Sequence, residues 1–207
     1  LSNGGYAKTQ PLSDYQAQRR GGRGRSASAV KEEDFIEKLL VTNSHDTLLC
    51  FSNMGKVYWL RTFQIPIASR AARGRPIVNI LPLDENERIT AMLPVEGYND
   101  HQFVFMATAN GTVKKTPLMD FSRPRSSGLI AIELEEDNTL IGASVTSGDS
   151  NVMLFSSGGR AIRFREQDVR AMGRSARGVR GIKLRDSEQV SSVIIPDAEG
   201  VVSMASE

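Results

Sequence analysis

The feature that most constrains this chain is its self-similarity. Four segments follow one plan: "NGGYAKTQPLSDY" (3–15), "NMGKVYWLRTFQI" (53–65), "ANGTVKKTPLMDF" (109–121) and "SGGRAIRFREQDV" (157–169). Each has a small turn, a glycine, alternating polar and apolar residues, and an aromatic or aliphatic stop. With Gly4, Gly55, Gly111 and Gly159 taken as equivalent, the intervals are 51, 56 and 48 residues. Each segment leads to a second glycine in a small or basic setting, at Gly24, Gly74, Gly128 and Gly178. An acidic stretch running into an apolar one follows ("EEDFIEKLLVT", "ENERITAMLPV", "EDNTLIGASVT", "DSEQVSSVIIP"), and then a short apolar run ("TLLCFS", "FVFMAT", "VMLFSS", "VVSMAS"). The runs are four to six residues long, β-branched or aromatic, and bounded by glycine, which is the signature of strands. A period near 50 residues carrying four short strands describes a propeller blade. The expected fold class is therefore all-β, with four repeats and blades at about 1–52, 53–108, 109–157 and 158–207. "EEDFIEKLL" (32–40) has helical spacing, yet its counterparts in the other repeats read as strands, so a strand is expected there too. Phe51, Phe105, Phe155 and Phe164 recur at strand positions and are expected in the core, and Trp59 is expected to be partly buried between blades.

With 207 residues, 40% of them apolar, the chain can bury a substantial core. No apolar run approaches the roughly 18 residues that span a bilayer, and "LSNGGYAKTQ" is neither a secretory nor a transit peptide. The single Cys50 cannot form an internal disulfide, which fits a reducing compartment. The net charge is only +2, but charge is segregated within the repeats. Basic residues gather before or around the second glycine: Arg19, Arg20, Arg23 and Arg25; Arg70, Arg73 and Arg75; Arg123 and Arg125; Arg170, Arg174, Arg177 and Arg180. Acidic residues follow in each repeat. Equivalent segments sit at equivalent heights in a blade array, so a near-neutral total conceals a basic band. Between Arg160 and Arg185 nine basic residues face two acidic ones. Lys114 and Lys115 join the candidate set from the third repeat.

A basic band around stacked blades suits a bent polyanion. Duplex DNA has a persistence length of about 150 bp, so tight bending costs on the order of several kcal/mol and needs many phosphate contacts to offset it. Each contact adds about 0.9 to the salt slope. The turns offer Arg, Gly and Ser, and no recognition-helix pattern is present, so binding by shape and charge with little sequence preference is expected. Enzymatic readings fare poorly. His45 and His101 are isolated, metal-ligand spacing is absent, and "GGRGRS" lacks the Gly-Lys-Ser/Thr ending of a nucleotide loop. A protein-interaction scaffold, or an RNA-binding module acting through the Arg-Gly segment, are the rival classes.

The residues also resemble a known family. "GGYAKTQPLSDYQAQRRGGRGRSASAVKEEDF" resembles the start of the C-terminal domain of the DNA gyrase A subunit, and Gln18, Arg19, Arg20, Gly21, Gly22, Arg23 and Gly24 look like the seven-residue gyrase-A box that separates that subunit from its topoisomerase IV relative. The resemblance extends over the whole chain, through "RGRPIVNILPLDENERITA", "VFMATANGTVKKT" and "VRAMG" followed by "GVRGI". It implies a β-pinwheel, a propeller variant whose blades exchange a strand, usually with six blades, of which this chain would carry four. It further implies duplex DNA wrapped on the basic rim, with the box arginines as wrapping determinants. The implied partners are the remainder of the gyrase A subunit and the gyrase B subunit in an A2B2 heterotetramer in the cytoplasm, at the nucleoid. ATP and Mg would be bound by other parts of that enzyme, with no cofactor or metal in this chain. The family's catalytic tyrosine lies in another region, and Tyr6, Tyr15, Tyr58 and Tyr98 do not occupy its context. The topoisomerase IV counterpart is the alternative within the same resemblance.

Overall fold

A computed structural model describes residues 1–15 and 34–196, and the described chain is all-β. The strands are β1 (Tyr6–Ala7), β2 (Thr47–Ser52), β3 (Lys56–Arg61), β4 (Arg75–Pro76), β5 (Ile89–Val95), β6 (Phe103–Thr108), β7 (Thr112–Pro117), β8 (Leu129–Ile130), β9 (Leu140–Thr146), β10 (Asn151–Ser156), β11 (Ala161–Arg165), β12 (Val179–Arg180) and β13 (Val190–Ile194). They form antiparallel sheets ordered β5-β2-β3-β8 and β12-β7-β6-β9, a three-stranded sheet β11-β10-β13, and the pair β1-β4.

The glycine turns found in the sequence organise these sheets. Gly5, Gly55, Gly111 and Gly159 each take a positive φ of 73° to 86°. Each donates its N–H to the carbonyl of Ser2, Ser52, Thr108 or Ser156 three residues earlier. The hydroxyl of that Ser or Thr accepts the N–H one residue beyond the glycine in all four turns, at 3.2–3.3 Å. The first member is thus Gly5, not the expected Gly4, whose φ is not in the left-handed region. A left-handed backbone favours glycine because a Cβ there meets its own carbonyl.

The second glycine starts the strand exchange. After Gly74, Gly128 and Gly178, also at positive φ, the chain crosses to the preceding repeat and pairs β4 with β1, β8 with β3, and β12 with β7. The carbonyls of Gly5, Gly55 and Gly111 accept N–H groups from Ile77, Ala131 and Gly181, each three residues past a second glycine. A Cβ at Gly74 or Gly178 would lie 2.4 or 2.5 Å from the carbonyl oxygen of Ala7 or Val113, so the crossing strand could not approach. Each four-stranded sheet therefore takes its outer strand from a later repeat, and the chain is a β-pinwheel. The hydrogen-bonded sheets group residues 47–95 with 129–130 and 103–146 with 179–180, out of phase with repeats counted from the first glycine.

The core lies between sheets. Along β2, Leu48 and Cys50 enter one apolar cluster while Leu49 and Phe51 enter the next. Along β6, Val104 and Met106 share the cluster of Leu49, and Phe105 and Ala107 enter a third. Successive side chains of a strand point to opposite faces, so these two strands are apolar throughout because both faces are covered. Phe51, Phe105 and Phe155 are buried, and Phe164 packs half-buried against Phe105. Trp59 is half-buried beside the cluster of Leu49 and Phe51 and donates to the Phe121 carbonyl at 2.9 Å and the Tyr98 hydroxyl at 3.2 Å.

The strand expected over 32–40 is absent from its described part. Residues 34–41 contain a single bridge, Ile36 to Ser2, and Leu39 and Val41 are 76% and 75% exposed. The counterparts β5, β9 and β13 each pair along their length with β2, β6 or β10. Besides the Ile36–Ser2 bridge, the Glu37 and Lys38 N–H groups donate to the Leu1 carbonyl at 3.0 Å, and among the described residues 36–41 makes no longer ladder. Residues 32 and 33 lie outside the described part.

Candidate nucleic-acid interface

The basic turns are docked by the same hydrogen bonds in two repeats. Thr9 bridges Ile67 and Lys115 bridges Ala171, both parallel. The N–H groups of Ala68 and Met172 donate to the Thr9 and Lys115 carbonyls at 3.1 and 2.8 Å. Each docked segment then makes a tight turn, closed by Ala72 N–H to Ser69 carbonyl and Ala176 N–H to Gly173 carbonyl, both 3.1 Å. The third turn closes from Gly128 N–H to Arg125 carbonyl at 3.0 Å and carries Pro124.

On these turns Arg73, Arg75, Arg123, Arg125, Arg170, Arg177 and Arg180 are exposed, and Arg70 and Arg174 are half-exposed. Two guanidinium groups lie over aromatic rings of the preceding repeat: Arg73 Cζ is 4.6 Å from the Tyr6 centroid and Arg70 Cζ is 5.4 Å from that of Tyr15. Such stacking favours a cation by about 0.5–1 kcal/mol at exposed sites and restricts the side chain without consuming its donors. Arg177 reaches Glu133 at 3.2 Å across an exposed ion pair. The box residues Gln18, Arg19, Arg20, Gly21, Gly22, Arg23 and Gly24, together with Arg25, lie outside the described residues.

Lys114 and Lys115 are not rim residues. Lys114 is fully buried on β7, where its Nζ donates to the Ala131 carbonyl at 2.7 Å and to the Arg174 carbonyl. Burial brings its ammonium down to about 8, against a raising effect from Asp120 and a further lowering by Arg174. Lys115 is 6% exposed, donates to the Glu166 carbonyl at 3.2 Å and lies 5.1 Å from the Phe103 ring centroid. The exchanged strand and the docked turn of the next repeat cover both. Their expected place among phosphate-facing cations is overturned for that reason.

In the acidic stretches Asp84, Glu85, Glu133, Glu135, Glu136, Asp137 and Asp186 are exposed, whereas Glu87 and Glu188 are drawn inward. Glu87 is 5% exposed and accepts the Tyr58 hydroxyl at 2.9 Å and the Asp84 N–H at 2.8 Å. Burial and this carboxylate push the Tyr58 phenol up. Glu188 repeats the motif, accepting the Arg185 N–H and pairing with Arg160, which holds its carboxyl below the usual range. These acids clip the turn before the last strand of the repeat onto the first.

Three residues of the interface were not singled out from sequence. Tyr6 and Tyr15 support the arginines, and Lys8 donates its Nζ to the carbonyls of Ser69, Arg70 and Ala72 at 3.1, 3.0 and 2.9 Å. Lys8 and Lys114 both stand three residues after the first glycine of a repeat, counting from Gly5 and Gly111. Aligning the repeats on Gly5 would have exposed that coincidence.

Strand exchange between stacked sheets, with an arginine turn docked on the preceding repeat, defines a propeller-like class of repeat domain. Residues 1–43, 46–96, 102–147 and 150–197 match the family described as "DNA gyrase C-terminal domain, beta-propeller", and the chain belongs to that family. The chain is 60% identical to the DNA gyrase A subunit of Klebsiella oxytoca over 207 residues, covering 100% of this chain and 24% of that protein. Against the DNA gyrase A subunit of Haemophilus influenzae it is 63% identical over 191 residues, 92% of this chain and 22% of that protein. It thus spans about a quarter of the length of these relatives. Among solved structures, "Crystal structure of the C-terminal domain of DNA topoisomerase IV" superposes with a TM-score of 0.79 at 27% identity, covering 96% of this chain and 60% of that one. "Structure of DNA gyrase A C-terminal domain" gives 0.72 at 27% identity, over 93% of this chain and 62% of that one. No helix among the described residues is long and apolar enough to cross a membrane.

Proposed function

We propose that this chain binds duplex DNA without sequence preference along its arginine turns, bends it over successive blades, and so wraps it for an ATP-dependent type IIA topoisomerase that introduces negative supercoils. The observation that carries this reading is the recurrence of exposed guanidinium groups on equivalent turns, at Arg73, Arg123, Arg125, Arg170 and Arg177. Equivalent turns on stacked blades present cations at regular steps, which suits a phosphate backbone and offers nothing that discriminates base edges. The box residues Arg19, Arg20 and Arg23 are assigned the closing of the wrap. Strand cleavage and ATP hydrolysis are assigned to the rest of a gyrase A2B2 assembly, with ATP and Mg bound there.

The test is closure of nicked circular DNA by ligase in the presence of the full-length protein, followed by measurement of linking number. A shift that disappears when Arg19, Arg20 and Arg23 are replaced by alanine is expected. An unshifted distribution with the wild type overturns wrapping, and preferential binding of RNA over duplex DNA would transfer the rim to the RNA-binding class.

A further inference from the structure

The arginine turns have few packing side chains of their own, yet they need a fixed direction if successive turns are to meet one phosphate track. Their backbone is held from beneath. At the first junction, the three N–H donors of the Lys8 ammonium are all taken by turn carbonyls, those of Ser69, Arg70 and Ala72. At the third junction, Lys114 reaches the carbonyl of Arg174, the counterpart of Arg70 when Gly74 and Gly178 are aligned, and also ties down Ala131, directly after its own repeat's exchanged strand β8. The middle junction serves as an internal control. There Tyr58 takes the equivalent place, its ring lies against Gly128, where a Cβ would sit 2.6 Å from Cε1, and its hydroxyl turns away to Glu87. That turn carries Pro124 instead of a lysine beneath it.

We propose that Lys8 and Lys114 are positioning residues for the basic rim: the Lys8 ammonium gathers three main-chain carbonyls, and that of Lys114 one, of the arginine turn supplied by the following repeat, and so they set where Arg70, Arg73, Arg174 and Arg177 project. The proposal rests on reading that rim as a DNA surface. Its physical basis is that an ammonium removed from water must find acceptors, and at both junctions these include carbonyls of the turn. Ordering of the turn is thereby built into folding instead of being left to the moment of binding, where it would subtract from affinity.

The experiment substitutes Lys8→Met and Lys114→Met in the full chain. It reads duplex DNA affinity against salt, and amide hydrogen exchange at the turns. Lys8→Met is expected to accelerate exchange of the Ala72 N–H about tenfold or more, leave the Arg125–Gly128 turn unchanged, and weaken DNA binding several-fold with the salt slope preserved. Lys114→Met is expected to do the same at Ala176. Should Lys114→Met fail to fold, the half-buried Lys8 still decides the matter. Rescue is provided by Lys8→Cys followed by aminoethylation, which restores an ammonium of nearly lysine length; Cys50 is buried, with its thiol pushed up to about 12, and stays unmodified. Recovery of both affinity and protection is expected. A salt slope lowered by about 0.9 with unchanged exchange would make the lysine a direct phosphate contact and overturn the proposal. Wild-type binding that neither variant alters overturns the positioning alone, whereas a wild type that does not bind duplex DNA overturns the DNA reading beneath it.

Discussion

Strand β6 and the turn from Ser69 to Arg75 are opposite solutions to holding a chain in place. In β6, Val104, Phe105, Met106 and Ala107 are all buried, and they alternate between two apolar clusters. Side-chain burial fixes that backbone, and its ladder to β7 and β9 follows. In the turn, Arg73 and Arg75 point to solvent and bury little, so the backbone is anchored by groups from elsewhere: the Thr9 ladder, the Lys8 ammonium and the left-handed Gly74. The contrast separates what specifies the fold from what presents charge, and it predicts that substitutions in one region leave the other's property intact.

Phe105→Ala should break the first half of the comparison. Loss of a buried phenyl from the cluster shared by the last two sheets should cost about 3–5 kcal/mol of stability, read from urea denaturation, with unaltered DNA affinity for the molecules that remain folded. The buried lysine sharpens the comparison through pH. Lys114 has its folded pKa lowered from 10.5 to about 8, so between these values the unfolded chain holds the proton more often and stability rises with pH. The gain approaches about 1.4 kcal/mol per pH unit within that window. Wild type compared with Lys114→Met from pH 7.5 to 10 should show it; a flat difference refutes the assignment. Beyond pH 10 the raised Tyr58 phenol works in the opposite sense, because the unfolded chain then loses that proton first. The smallest stability effect belongs to the rim. Arg73→Ala with Arg75→Ala should change stability by no more than about 1 kcal/mol, the share of the Arg73–Tyr6 stack, while lowering the salt slope of DNA binding by about 0.9 for each lost phosphate contact.

Much of the fold was legible because the repeat and the glycines report backbone demands directly. A first glycine and a second glycine in a small or basic setting recur in the sequence, and among the described residues each takes a left-handed backbone once Gly5 replaces Gly4. The continuous apolar runs "TLLCFS" and "FVFMAT" likewise indicated strands covered on both faces. The strand expected at 32–40 was carried over from its counterparts in the other repeats, which pair along their length with β2, β6 or β10, whereas the described part of this segment meets only the first residues on the approach to β1. At the interface the exposed arginines lie on turns, as their Gly-rich and Ser-rich surroundings suggested. Lys114 and Lys115 were misplaced, and Lys8 overlooked, because charge alone does not tell a surface lysine from one capped by carbonyls.

The sequence by itself determined the repeat, the all-β class and the positions of the basic turns, since periodicity, glycine placement and charge order are properties of neighbouring residues. Which repeat supplies the outer strand of each sheet, and which cations face solvent, was decided only in the tertiary structure. The acceptors of Lys8 lie more than sixty residues away along the chain. They come within reach only after the next repeat crosses over, and burial is a relation between distant segments that no local pattern encodes.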